Sequence, residues 1–232
     1  MTELIIKNSI LLTAGILNLA MSLFIISRGW KNKVNLYFSL FTFFTFLWAL
    51  GLIFVNAGIS EEVSRFFASF VYPVALLIIV NVFYFTIYFP YKIFDIQKFY
   101  KRLIRFFIVV FTIFCIGFYK IFVYKVVLIP EIIVYYEFWS YTLYSVVLSI
   151  LMLSSIGILF YKYKKAEGVF RPQLLLVLLA IIMGVLAGGY FNLFLMYFHN
   201  YNYDHLGPLF TLLMNFVVFY LIFLHNKKIS IN

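Results

Sequence analysis

The sequence predicts an all-α polytopic membrane protein, a seven-transmembrane-helix bundle with its N-terminus outside and its C-terminus in the cytoplasm. Three observations predict it. Seven long apolar stretches alternate with short polar joints, and a bilayer needs about 20 apolar residues per spanning helix. The composition is 66% hydrophobic and 23% aromatic with only 11% charged residues. The positive charge of the joints falls almost entirely on one side. With 232 residues, seven spans and their joints use nearly the whole chain. It is expected to form a single transmembrane domain over 1–232, with too little outside the membrane for a catalytic or regulatory domain.

The spans are expected near 4–27, 35–56, 66–89, 103–124, 138–161, 172–198 and 206–225. Spans two, three, five and six each run for more than 20 residues without Asp, Glu, Lys or Arg. Span three ends at Pro90. Span four is the shortest, because only 14 residues, Phe106 to Tyr119, separate Arg105 from Lys120. It crosses only if those basic side chains snorkel to the headgroups. The alternative is a re-entrant or interfacial helix, which would reverse the side of everything downstream.

The charges favour seven crossings. One set of joints holds Arg28, Lys31 and Lys33; Lys92, Lys98, Lys101, Arg102 and Arg105; Lys162, Lys164, Lys165 and Arg171; and Lys227 and Lys228. The opposite side holds only Lys7, Arg65, Lys120 and Lys125, with the acids Glu3, Glu61, Glu62, Glu131, Glu137 and Asp204. Cytoplasmic loops attract the Lys/Arg excess, which sets the orientation. The net charge of +10 is spread over these membrane-proximal joints, so anionic lipid rather than nucleic acid is the expected partner. The first span lacks a basic n-region and a small-residue cleavage site, and is expected to be a retained helix. Cys115 is alone, which excludes an intramolecular disulfide or a cysteine-rich metal site.

The interior chemistry excludes several functions. No acid lies in the middle of a span, against an intramembrane aspartyl protease or a proton-coupled carrier. Span seven has no lysine to carry a Schiff base, against a retinal pigment. No cofactor and no metal site is expected. His199, Asp204 and His205 offer only a non-specific metal-ligand spacing, and the following Gly207 and Pro208 suit a turn entering span seven. The polar groups inside are amides: Asn18, Asn81, Asn192 and Asn215. They either lock helices together or head an otherwise apolar ligand pocket. The second reading makes Asn81, Asn192 and Asn215, with Trp48 and Tyr84, the candidate ligand-binding residues. Ala180, Gly184 and Gly188, with Gly189 adjacent, form a small-residue face in span six that is expected to admit a close helix neighbour. Tyr135, Tyr136, Trp139 and Tyr141 read as an outer aromatic belt and Tyr161 and Tyr163 as an inner one.

Several local sequences, in order, resemble the N-terminal seven-transmembrane sensor region of bacterial membrane histidine kinases. They are Asn35, Phe38 and Phe41; Trp48-Ala49-Leu50-Gly51; the acidic Glu61-Glu62 joint; and Phe85-Thr86-Ile87-Tyr88-Phe89-Pro90. Then come Arg171-Pro172-Gln173-Leu174 opening span six, Leu206-Gly207 opening span seven, and Tyr220-Leu221-Ile222 followed by His225-Asn226-Lys227-Lys228-Ile229. The likeness covers roughly residues 10–231. It implies a multi-pass receptor of the bacterial plasma membrane, part of a two-component system. Such a receptor senses a small apolar or amphipathic, extracellular or lipid-soluble signal. It would pass a helix rearrangement to a fused or separate cytoplasmic kinase or partner through Arg171, Gln173, Lys227 and Lys228. A homodimer is compatible with this. No kinase domain follows in this chain, so it is expected to be no enzyme itself. A small transporter or accessory subunit, or a lipid-acting membrane enzyme, are the competing classes.

Overall fold

Caps and tight turns set where each helix starts and stops. In the computed structural model, which describes residues 2–92, 97–128, 132–198 and 200–225, α1 (Thr2–Ser27) and α2 (Lys33–Asn56) are joined by a short turn. There Gly29 adopts a φ of 140°, which is open to glycine. Asn32 caps α2 by accepting from the Val34 amide at 2.9 Å. The two helices are tied by Ser22 and Ser39, each hydroxyl donating to the other's carbonyl at 2.9 and 3.0 Å. Ser60 caps α3 (Glu61–Tyr88), and Glu61 and Glu62 lie in its first turn, where negative charge complements the helix dipole. Gly51 lets α2 approach α3 closely, since a Cβ there would meet Val71 at 2.6 Å.

α4 (Lys98–Gly117) buries only Phe111 and Cys115 and lies outside the main bundle, on α3. The segment expected as a span over 103–124 has different helix limits here. Helix ends at Gly117, a short turn α5 (Tyr119–Phe122) follows, and the chain is extended from Val123. The strands β1 (Val123–Val127) and β2 (Ile133–Tyr136) pair antiparallel, with Val126 opposite Val134 and Val127 opposite Ile133. Consecutive β-branched residues favour this pleated hairpin over a helix. Glu137 then opens α6 (Phe138–Lys165) by accepting from the Trp139 and Ser140 amides. Hydrogen bonds from Ser140 and then Trp139 hold its carboxyl below the usual carboxylate range.

α7 (Phe170–Gly189) continues through a π-helical turn (Tyr190–Phe194) into α8 (Leu195–Tyr197), so one rod fills the segment expected at 172–198. α9 (Leu206–Phe219) runs on into a second π-helical turn, Tyr220–His225. Packing runs α1–α2–α3–α6–α7–α9 and closes from α9 back to α1. The closure carries a hydrogen bond from Asn215 Nδ2 to Asn18 Oδ1 at 2.6 Å. Among the described residues, five helices are long and apolar enough to cross a membrane: Leu4–Ser27, Lys33–Asn56, Glu61–Tyr88, Phe138–Lys165 and Phe170–Tyr197. Leu206–Ile222 is a shorter apolar helix. Many of the large apolar side chains point outward, among them Leu153, Leu186 and Phe106 at 66–67% exposure.

Lys162 departs most sharply from the sequence reading, which placed it in a cytoplasmic joint. Its side chain is fully buried. Its Nζ donates to the carbonyls of Ile87, Phe89 and Tyr91 at 2.9, 2.6 and 2.6 Å, so its three donors satisfy the C-terminal end of α3. Lys162→Met leaves those carbonyls without that donor and is expected to lower the unfolding free energy by at least about 2 kcal/mol. Lys164→Met, at an exposed position, should change it little. Reversible unfolding in mixed micelles measures both.

Candidate functional site

The closed ring of helices surrounds a cavity of about 70 Å³ walled by α2, α3, α6, α7, α9 and the π-helical turn. Its lining is mostly aliphatic and aromatic, contributed by Phe41, Trp48, Val71, Ile78, Leu148 and Met214 among others. The glycines of α7 help to create it. Gly184 packs tightly on Met214, as the small-residue face predicts, with the methionine sulfur 2.6 Å from where a Cβ would stand. Gly188 has no such neighbour within 4 Å and borders the cavity instead. The small-residue face is therefore half contact and half void.

Directly after Gly188 and Gly189 the helix widens. A π-helical turn inserts one residue into the helical repeat, and Asn192, within it, lines the cavity. Asn192 is 8% exposed. Among the described residues it is the one buried side chain with both polar atoms, Nδ2 and Oδ1, unpaired. Gly207, at the start of α9, backs it closely: a Cβ there would collide with the amide and press on Trp48. That close approach is the physical reason for glycine in the Leu206-Gly207 element. Thr211 also lines the cavity, its hydroxyl turned back to the Gly207 carbonyl at 2.9 Å.

A tyrosine cluster closes the hairpin end. Tyr72 meets Phe122, Tyr136, Tyr141 and Tyr144 edge-on, with centroids 4.9–5.7 Å apart, a geometry that suits the ring quadrupoles. Tyr141 donates to the Leu193 carbonyl at 2.9 Å and so satisfies a backbone group of the π-helical turn. Tyr201 donates to the Val134 carbonyl of β2 at 2.6 Å. Burial, then the neighbouring Tyr136, pushes the Tyr201 phenol well above its ordinary value, so it stays a neutral donor. Asp204 is buried, with His205 Nδ1 3.8 Å from its carboxylate.

Of the five candidate binding residues, Trp48 and Asn192 share the cavity wall. Asn81 donates to Leu77 of its own helix at 2.7 Å, and Asn215 locks α9 to α1. Tyr84 stacks on Tyr37, 5.0 Å between centroids, in a tyrosine ladder that continues to Tyr88. None of those three borders the cavity. Asn215 thus joins two helices, Asn81 is bonded within its own helix, and Asn192 is left on the cavity wall. At the opposite end from the hairpin, Arg171 lies 5.5 Å over the Tyr163 ring, and Gln173 is buried in the first turns of α7. The ring of Tyr91 meets Phe170 there, beside the Lys162 knot. Lys227, Lys228 and His199 lie outside the described residues.

Lys162 escaped the sequence reading, yet a signal for it exists. The buried positions of α6 are Tyr141, Tyr144, Leu148, Leu151, Ser155, Leu159 and Lys162, a 3–4 repeat that marks one helix face. Lys162 continues that stripe. The π-helical turn carries no comparable signal, whereas the hairpin has one in its paired β-branched residues, Val126-Val127 and Ile133-Val134.

The two inner amides predict opposite outcomes. Asn192→Leu removes unpaired buried polar atoms and is expected to hold or raise the unfolding free energy, by up to about 1–2 kcal/mol. Asn215→Leu strands Asn18 Oδ1 and is expected to lower it by about 1 kcal/mol. Unfolding of the two variants in the same micelles measures the difference.

Neither a scan against protein-family models nor a comparison with curated proteins finds a match. The chemistry of the cavity therefore carries the functional reading.

Proposed function

We propose that this chain is a seven-helix membrane sensor module that binds a small amphipathic or apolar ligand at Asn192 and passes a helix rearrangement to a cytoplasmic signalling partner. The observation that carries the reading is the Asn192 amide, buried and doubly unpaired on the wall of an apolar cavity. A buried amide left this way costs about 1–3 kcal/mol, a cost that a ligand offering one donor and one acceptor removes. Its place in a π-helical turn supports the same reading, because such turns concentrate at functional sites. So does the resemblance to histidine-kinase sensor regions, whose Trp48-containing element and Leu206-Gly207 element meet at this amide.

The proposed topology has seven crossings, with α4 and α9 as the shorter ones, the N-terminus outside and the basic end in the cytoplasm of a bacterial plasma membrane. The helix ends support alternation. Glu62, at the start of α3, pairs with Lys120 at 2.9 Å beside the hairpin, while the end of α3 is held by Lys162 near the end of α6. A ligand that binds one packing of α3, α6 and α7 better than another shifts the population between them. The Lys162 knot connects α3 to α6, and the adjoining Phe170 and Arg171 start α7, so this end is the proposed output surface. The chain itself is proposed to act without chemistry of its own.

Topology tests the frame of the reading. In a Cys115→Ser background, Ile59→Cys and Asn202→Cys are expected to react with an impermeant maleimide added outside intact cells. Glu167→Cys is expected to react only after permeabilisation. Labelling of Glu167→Cys from outside would contradict the orientation.

A further inference from the structure

The cavity is small for a ligand. At about 70 Å³ it is under half the size of the roughly 150 Å³ apolar cavity that takes up benzene, so it has room for a head group and little more. A second space adjoins it. A groove of about 420 Å³ runs between α6 and α7 on the outside of the bundle. Its rim residues Leu153, Phe194 and Tyr197 are 67%, 55% and 48% exposed. Three side chains, Met152, Val185 and Leu193, line both the groove and the cavity. They are the partition between them. Gly188 borders the cavity and Gly189 the groove, and a Cβ on either would meet nothing within 4 Å. Leu193 belongs to the same π-helical turn as Asn192, and its carbonyl is held by Tyr141, itself on the groove.

Resting on the membrane reading above, we infer that the α6–α7 groove is a lateral port for a single-chain amphiphile from the bilayer. Its apolar chain lies in the groove and passes the Met152–Val185–Leu193 partition. Its neutral head, able to donate and to accept a hydrogen bond, pairs with Asn192. Three features fix this chemistry. No charged side chain lines either space, so an ionised head has no counter-charge and a heavy desolvation cost. Asn192 leaves one donor and one acceptor type unpaired, which suits a primary amide or a hydroxyl. Methionine is unbranched and adaptable, so Met152 can yield to a slender chain without moving a helix.

The probe is 2-bromodecanamide, whose heavy atom sits beside the head group and quenches tryptophan on contact, with 1-bromodecane as the chain without the head. The 232-residue chain carries Trp30→Phe and Trp139→Phe, leaving Trp48 on the cavity wall as the reporter, and is reconstituted in lipid nanodiscs. The amide is expected to quench Trp48 saturably, at about tenfold lower membrane concentration than bromodecane, the worth of a well-made hydrogen bond in an apolar site. Asn192→Leu should erase that advantage. Gly189→Leu on α7 and Ser149→Phe on α6 each fill the groove without touching the cavity, and each should weaken amide quenching about tenfold while unfolding as the parent does. Either one that folds is sufficient. Quenching that depends on Asn192 but ignores both groove variants overturns the port and leaves the cavity reading intact. Equal quenching by amide and bromodecane, unaffected by Asn192→Leu, sinks the cavity reading and the port with it. Amide quenching that falls as the protein-to-lipid ratio rises overturns the port in favour of a second copy of the chain occupying the groove.

Discussion

A backbone carbonyl released inside an apolar bundle has to find a donor, and that requirement organises this structure. Helices satisfy their own peptide groups along their length, but each end and each widened turn frees some of them. Here the donors come from other elements. Lys162 of α6 takes three carbonyls at the end of α3, Ser69 of α3 takes Cys115 near the end of α4 at 2.6 Å, and Ser64 reaches Val55 near the end of α2. Tyr141 takes the π-helical turn and Tyr201 the hairpin strand. All but the Ser64 contact join residues far apart in sequence, so the rule that satisfies the backbone also selects which helices stand together.

Against that background Asn192 is an exception with a location. Other buried polar atoms lack partners singly, including Asn215 Oδ1, whose own Nδ2 is engaged. Asn192 is unpaired at both atoms, and it faces a space. Three devices put it there: glycines that give α7 no bulk at Gly188, a widened turn, and Gly207 allowing α9 to approach. Only Gly207 tightens a contact; the bare Gly188 and the widened turn leave space. A sequence that keeps local features at odds with stability does so where function or strain requires them, and the tyrosine that holds the turn's carbonyl keeps the widened geometry in place.

Much of the fold is legible in the sequence because span length and charge-free runs are one-dimensional signals. Spans two, three, five and six end within a few residues of the expected limits, and the sixth is continuous across its π-helical turn. The far end of the fourth segment turns from helix to strand at Val123, which hydropathy does not show, because Val123, Val126 and Val127 are as apolar as what precedes them. The site was legible only in part. Composition marks Asn81, Asn192 and Asn215 as equals, and only three-dimensional placement separates a side chain bonded to its own helix, one bonded to α1, and one with no partner. Charge counting treated Lys162 as a free joint cation, whereas its side chain is buried and ties α6 to the end of α3.

The central claim is that the Asn192 side chain waits without a hydrogen bond until a ligand supplies one. Infrared difference spectroscopy on protein carrying ¹³C at the asparagine side-chain carbonyl isolates that group, by subtracting the spectrum of Asn192→Leu from that of the parent in nanodiscs. The account predicts a high-frequency band, characteristic of a carbonyl without a donor, that shifts to lower frequency as 2-bromodecanamide is added. A band already at the hydrogen-bonded position in the ligand-free protein, and unmoved by the amide, would contradict it.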